Sequence, residues 1–324
     1  MTNGSPLANG AQGTHYAPMQ NVLTLIANPD GPGLDDTIVD AARAALIESG
    51  AAAERGEALA PGLACDIAFS RIGPERGASA VRDALGEAGA DVVAQPIEGR
   101  RKKLLVADME STIIENEMLD ELADFIGIRE PITEITKRAM NGELDFDAAL
   151  RERVGLLKGL PVEVLDQAAQ RITVAPGARA LVRTMRAHGA YTALVSGGFG
   201  FFTRRIRERL GFDFDQANEF EIRDGKLTGA VKEPTLSREA KLEALKRLAG
   251  ERHLPLSATL AVGDGANDLP MLLAAGLGVA YHAKPSVAPA ARVRIEHGDL
   301  TALLYVQGYR AGDIRALSDQ IESI

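Results

Sequence analysis

The chain has 324 residues, 46% hydrophobic and 25% charged, enough to bury a core in each of about two domains. Thirty-six Lys and Arg against forty-five Asp and Glu leave a net charge of −9, which argues against a broad nucleic-acid footprint. The single cysteine, Cys65, excludes an internal disulfide and a cysteine zinc site, and fits a cytoplasmic protein.

Residues 1–20 lack the basic start and long apolar run of a signal peptide, and their Gly, Asn, Gln and Pro predict a disordered tail. Residues 21–97 read as strand (22–27), helix after Gly33, short strand (54–59), strand (65–69), helix (75–88) and strand (91–95). That βαββαβ order is the ferredoxin-like α+β sandwich. The run Arg100-Arg101-Lys102-Lys103 is read as a solvated linker, since the rest of the chain is acidic.

From residue 98 to 324 the texture is α/β. A short apolar run ends at Asp108, and residues 115–171 follow as a helical insertion without strands. Strand and helix then alternate: strand 193–196, loop and helix 197–210, a hairpin over 219–231 turning at Asp224-Gly225, helix 237–249, strand 259–263, helix 268–275 and strand 277–281. The repeat predicts a doubly wound parallel sheet with ligands at the carboxyl ends of its strands. The uncharged stretch 269–281 is well short of the roughly 20 apolar residues that span a membrane.

Asp108, Ser196 and Asp264 all fall at predicted strand ends. A strand-end Asp is often only a helix cap, but Asp108 and Glu110 beside Gly263-Asp-Gly-Ala-Asn-Asp268 suit a divalent cation, which needs few protein ligands when a phosphate supplies others. His15, His188, His253, His282 and His297 show no zinc-ligand spacing, and Leu194 stands where a serine nucleophile elbow has glycine.

Asp108-Met-Glu-Ser-Thr112, Ser196-Gly-Gly, Lys241 and Gly263-Asp-Gly-Ala-Asn-Asp268 resemble, in order, the four motifs of the haloacid dehalogenase-like phosphatases. With DMESTIIENEMLDELADF, RAMNGELDFDAALRERVGLLKGL, VSGGFGFF and VGDGANDLPML, residues 103–309 resemble the phosphoserine phosphatases of that family. The resemblance implies a Rossmannoid sheet with a helical cap at about 115–173. It implies Mg²⁺-dependent hydrolysis of O-phosphoserine, with Asp108 as nucleophile and Glu110 as general acid and base. It places Mg²⁺ on Asp108, the Glu110 carbonyl and Asp264, and the phosphoryl group against Ser196, Gly197, Lys241 and Asn267, with Asp268 behind them. Glu117 would take the substrate ammonium, Arg153 its carboxylate, and Met140 and Phe146 would wall the site.

On pattern alone Glu117 and Arg153 are solvated helix faces, and Met140 and Phe146 are core. The family has Asp where this chain has Glu110, so the carboxylate must fold back by one methylene or shift the water it activates. Two alternatives share the motifs: phosphoryl transfer to homoserine, and an amino-acid-sensing protein with an inactive core. Asn28-Pro-Asp-Gly-Pro-Gly-Leu34 resembles the first loop of ACT-type sensing domains, which implies serine as an effector and a homodimer; it reads equally as a plain strand-to-helix turn.

Overall fold

The computed structural model describes residues 19–318 apart from 87, 141–143, 237–238, 286 and 288–289, so the expected tail lies almost wholly outside the described residues. In the N-terminal part, β1 (Asn21–Ala27), α1 (Asp36–Glu48), β2 (Ala52–Ala53), β3 (Glu57–Ala60), β4 (Ala64–Ser70), α2 (Pro74–Leu85) and β5 (Ala90–Pro96) follow the βαββαβ order. They form an antiparallel sheet ordered β2-β4-β1-β5, with β3 also on β4. The single strand expected over 54–59 is two short pieces. The break holds Gly56, where a Cβ would lie 2.5 Å from Val39 and 2.8 Å from the Cys65 sulfur.

Alternation puts Leu23 and Leu25 of β1 under the two helices, with Leu46, Ile67, Phe69 and Val81. A two-layer sandwich would leave the other face wet, yet every residue of β1 is buried. Ile26, Ala64 and Val93 on that second face join the core of the following unit instead. The basic run makes the same junction, which corrects its reading as a solvated linker. Arg100 donates to Asp66 Oδ2 (2.7 Å) and the Val306 carbonyl (3.1 Å). Lys102 is buried, its Nζ donating to the carbonyls of Gly99 (2.8 Å) and Ser257 (2.9 Å), and Arg101 lies 4.2 Å over the Tyr309 ring. Most of these partners lie far away in sequence, so local composition could not reveal them.

The rest of the strands are β6 (Leu104–Ala107), β7 (Tyr191–Phe199), β8 (Phe214–Asn218), β9 (Phe220–Arg223), β10 (Lys226–Val231), β11 (Thr259–Gly263), β12 (Leu277–Tyr281) and β13 (Val293–Ile295). All but β9 and β10 form a parallel sheet ordered β13-β12-β11-β6-β7-β8. Its strands are buried on both sides: Leu105, Leu194 and Val262 face one core, while Val106, Ala193 and Ala261 face another. The outermost strands β8 and β13 were not expected, because short polar edge pieces such as FDQAN carry little apolar pattern.

Between β6 and β7 stand α3 (Met118–Phe125), α4 (Arg129–Met140), α5 (Phe146–Gly155), α6 (Val162–Gln170) and α7 (Ala178–Ala187), the first four forming the helical insertion. The β9–β10 hairpin turns at Asp224 (φ 51°) and Gly225 (φ 71°), the two left-handed residues of a tight hairpin loop. It braces the insertion, since Gly159 and Leu227 N–H groups donate to the carbonyls of Leu227 and Leu160. Finally come α8 (Gly200–Leu210), α9 (Ala240–Glu251), α10 (Leu269–Ala274), α11 (Ala302–Val306) and α12 (Ala311–Ser318). Among the described residues no helix is long and apolar enough to cross a membrane.

Candidate active site

Strand order reverses around β6, whose neighbours are β7 and β11, and ligands of open α/β sheets bind in the crevice at such a point. Asp108 follows β6, Ser196 lies near the end of β7 and Asp264 follows β11. Asp108, Asp264 and Asp268 are buried, with carboxylate oxygens within 4.8 Å of one another. Lys241, on α9, places its Nζ 2.7 Å from Asp108 Oδ1 and 2.6 Å from Asp268 Oδ1. Asp268 Oδ2 accepts the Gly265 N–H (2.9 Å), so both its oxygens are engaged, whereas Asp108 uses Oδ1 for Lys241 and for the Met109 N–H (2.7 Å). Gly263 permits this packing: a Cβ there would sit 2.3 Å from the Asp268 carboxyl carbon.

Asp264 pairs with Lys284 Nζ (3.2 Å) and accepts from Thr112 Oγ1 (3.4 Å). Burial lifts its carboxyl to about 6 even with Lys284 pulling the other way. Burial drives Asp108 up as well, reinforced by Asp268 and Asp264 and opposed by Lys241. Burial alone would lower Lys241, but Asp108 and Asp268 hold its ammonium above the ordinary lysine range. Three carboxylates against two ammonium groups leave excess negative charge out of water, so the donor set fits a divalent cation.

Glu110 is buried in the same place. Its Oε1 accepts the Met118 N–H at the start of α3 (3.0 Å), and its carboxylate lies where a Cβ on Gly198 would be, 2.8 Å away. The longer side chain is thus folded back against a glycine. Burial and the nearby Glu117 raise its carboxyl to about 8, while the Met118 N–H, Arg153 and Lys241 pull it down. Glu117 precedes α3 and accepts from Ser111 Oγ (2.8 Å), with Ser111 in the left-handed region (φ 54°). Arg153, in the last turn of α5, gives Nε to the Ala149 carbonyl (3.2 Å), and its charge reaches Glu110.

Ser196 Oγ accepts the Gly198 N–H (2.9 Å), and the Gly197 carbonyl accepts from Asn218 Nδ2 (2.8 Å), whose Oδ1 takes the Leu236 N–H (2.7 Å). Asn267 folds its Oδ1 to within 2.5 Å of where a Cβ on Gly265 would stand. Met140 closes α4 and Phe146 opens α5, but their side chains lie outside the described residues. The sequence reading missed Lys284, and Asn218 and Thr112 as partners. Lys284 follows β12, so the strand-end rule applied once more would have found it.

Known proteins resemble this arrangement over long stretches. A phosphoserine phosphatase of Streptomyces coelicolor is 39% identical over 301 residues, 92% of this chain and 72% of its own length. The structure of a haloacid dehalogenase family hydrolase from Salmonella enterica serovar Typhi superposes with a TM-score of 0.79 at 32% identity, covering 89% of this chain and 98% of that one. A phospho-aspartyl intermediate analogue of phosphoserine phosphatase matches with a TM-score of 0.60 at 43% identity, covering 63% of this chain and 98% of that one. Residues 105–273 match the sequence model of the haloacid dehalogenase-like hydrolases, and the chain belongs to that family.

Proposed function

We propose that this chain is a phosphoserine phosphatase that converts O-phospho-L-serine and water to L-serine and phosphate. The observation that carries the proposal is the buried line Asp108–Lys241–Asp268 beside Asp264, at the carboxyl ends of the central strands. Phosphate monoesters repel nucleophiles, so catalysis consists mainly of neutralising charge and aligning the attack. An Asp108 carboxylate oxygen forms a bond to phosphorus as the bond to the serine oxygen breaks. Glu110, lifted to about 8 chiefly by burial, carries the proton that the leaving serine oxygen takes. Its carboxylate then accepts a proton from water as that water attacks the aspartyl-phosphate, releasing phosphate and restoring Asp108.

Lys241, the Ser196 hydroxyl, the Gly197 amide and Asn267 would hold the phosphoryl oxygens, and Asp268 keeps Lys241 in place. Glu117 and Arg153 would read the substrate ammonium and carboxylate, with Met140 and Phe146 as apolar walls. The metal in this reading is Mg²⁺, held by Asp108, Asp264 and the Glu110 carbonyl, and it supplies positive charge to the phosphate and nucleophile. The setting is cytoplasmic.

Release of phosphate and serine from O-phosphoserine, with and without Mg²⁺, tests the reading. Turnover should require the metal and fall more than about 10³-fold in Asp108→Asn, whose amide is a poor nucleophile. Substantial turnover by that variant would overturn the assignment, and phosphohomoserine formed in the presence of homoserine would make the chain a transferase.

The proposal divides the chain at about residue 97 and gives the N-terminal sandwich an ACT-like role, with serine as effector and pairing of two copies. The amides of Asp30, Gly31 and Leu34 already donate to Asn28 Oδ1, the Asn28 carbonyl and the Gly62 carbonyl. Serine at this loop would have to exchange those bonds, and serine titration by calorimetry decides the point.

A further inference from the structure

A second cleft lies at the opposite end of the parallel sheet from Asp108. It runs between α2 and β5 of the N-terminal sandwich and the amino-terminal ends of β11, β12 and β13, with a volume of about 630 Å³. That is within the usual range of small-molecule sites. Arg82, Arg101, Lys102 and Arg292 line it against Glu75 and Glu98, an excess of two positive charges in a chain whose net charge is −9.

Lys102 is the informative member. Its ammonium has three donors, and the carbonyls of Gly99 and Ser257, both lining the cleft, take two. Among the described residues Arg82, Lys102 and Arg292 enter no ion pair. Burial, with no countercharge to offset it, draws the Lys102 ammonium down. Burial and the neighbouring Arg294 do the same to half-buried Arg82, against the opposing pull of Glu296 and Asp83, while its Nη2 donates to the Val92 carbonyl (2.9 Å). Buried cations normally have anionic partners, because an unpaired charge out of water is costly. Apolar surface from Val93 and Leu277 completes the wall.

We propose that this cleft binds a small molecule carrying two negative charges, a dicarboxylate or an organic phosphate, on Lys102, Arg82 and Arg292. At about 3.3 Å per residue, the length of β11 puts such a ligand roughly 17 Å from Asp264, so it cannot touch the substrate. It would instead lie against both the sandwich and the strand that carries Asp264.

Calorimetry on the full chain with Mg²⁺ tests this, using succinate for the carboxylate class and methylphosphonate for the phosphate class. Saturable binding of either, weakened at least tenfold by Lys102→Met and by Arg292→Ala, is the expected result, and the probe that binds names the class. The KM for phosphoserine should stay within twofold in both variants. Arg292 is exposed, so its variant decides alone if Lys102→Met does not fold. Binding of neither probe, or binding that neither substitution weakens, as for an anion held only beside Asp108, overturns the proposal. The readout is binding rather than turnover, so its failure is distinct from failure of the proposed activity.

Discussion

Glu110 shows how one extra methylene is absorbed. The carboxylate folds onto the Met118 N–H and into the space that Gly198 leaves by lacking a Cβ. Burial, and then the Glu117 charge, disfavour the anion and lift its carboxyl to about 8. As the acid that protonates the leaving group, Glu110 should give kcat/KM a limb that falls as pH rises through about 8. Glu117→Gln removes a negative neighbour, lowers the Glu110 pKa, and should move that limb to lower pH. A pH–rate profile of both proteins checks the direction, and an unmoved limb would assign it to another group. Asp108 and Asp264 were legible in the sequence because strand ends in an open α/β sheet are where chemistry collects. Thr112 and Asn218 were less so as partners, since each matters through a group brought close only by the fold.

Among the elements, β11 and β12 coincide with the apolar runs read from sequence, whereas β8 and β13 did not announce themselves. Continuous apolar runs are the signature of strands covered on both faces, and edge strands lack it. The seat of α10 on β12 depends on a glycine. A Cβ on Gly278 would fall 1.8 Å from the Leu272 carbonyl oxygen, so helix and strand would have to part. Gly278→Ala should therefore destabilise the fold by about 3 kcal/mol, at the upper end of ordinary overpacking. Urea unfolding checks it, and a midpoint within error of the parent would show that α10 yields freely.

For the molecule as a whole, the junction between the sheets is polar as well as apolar. Asp91 of β5 accepts the backbone N–H groups of Glu296, His297 and Gly298, and Gln95 donates to the Val306 carbonyl. Arg100 ties Asp66 to the end of α11. Arg100→Met would strand the Asp66 carboxylate, which is mostly buried, and should lower stability by about 3 kcal/mol. Asp66→Asn together with Arg100→Met should recover part of that loss in a double-mutant unfolding series. The two-sided burial of β1 has one more consequence. Shortening the gene to begin near residue 98 would bare the flank of α11, and the excised sandwich would show Ile26, Ala64 and Val93 to water. An insertion, fusion or split-protein design of this chain would therefore do best to keep this seam closed and to cut at the chain's outer loops instead.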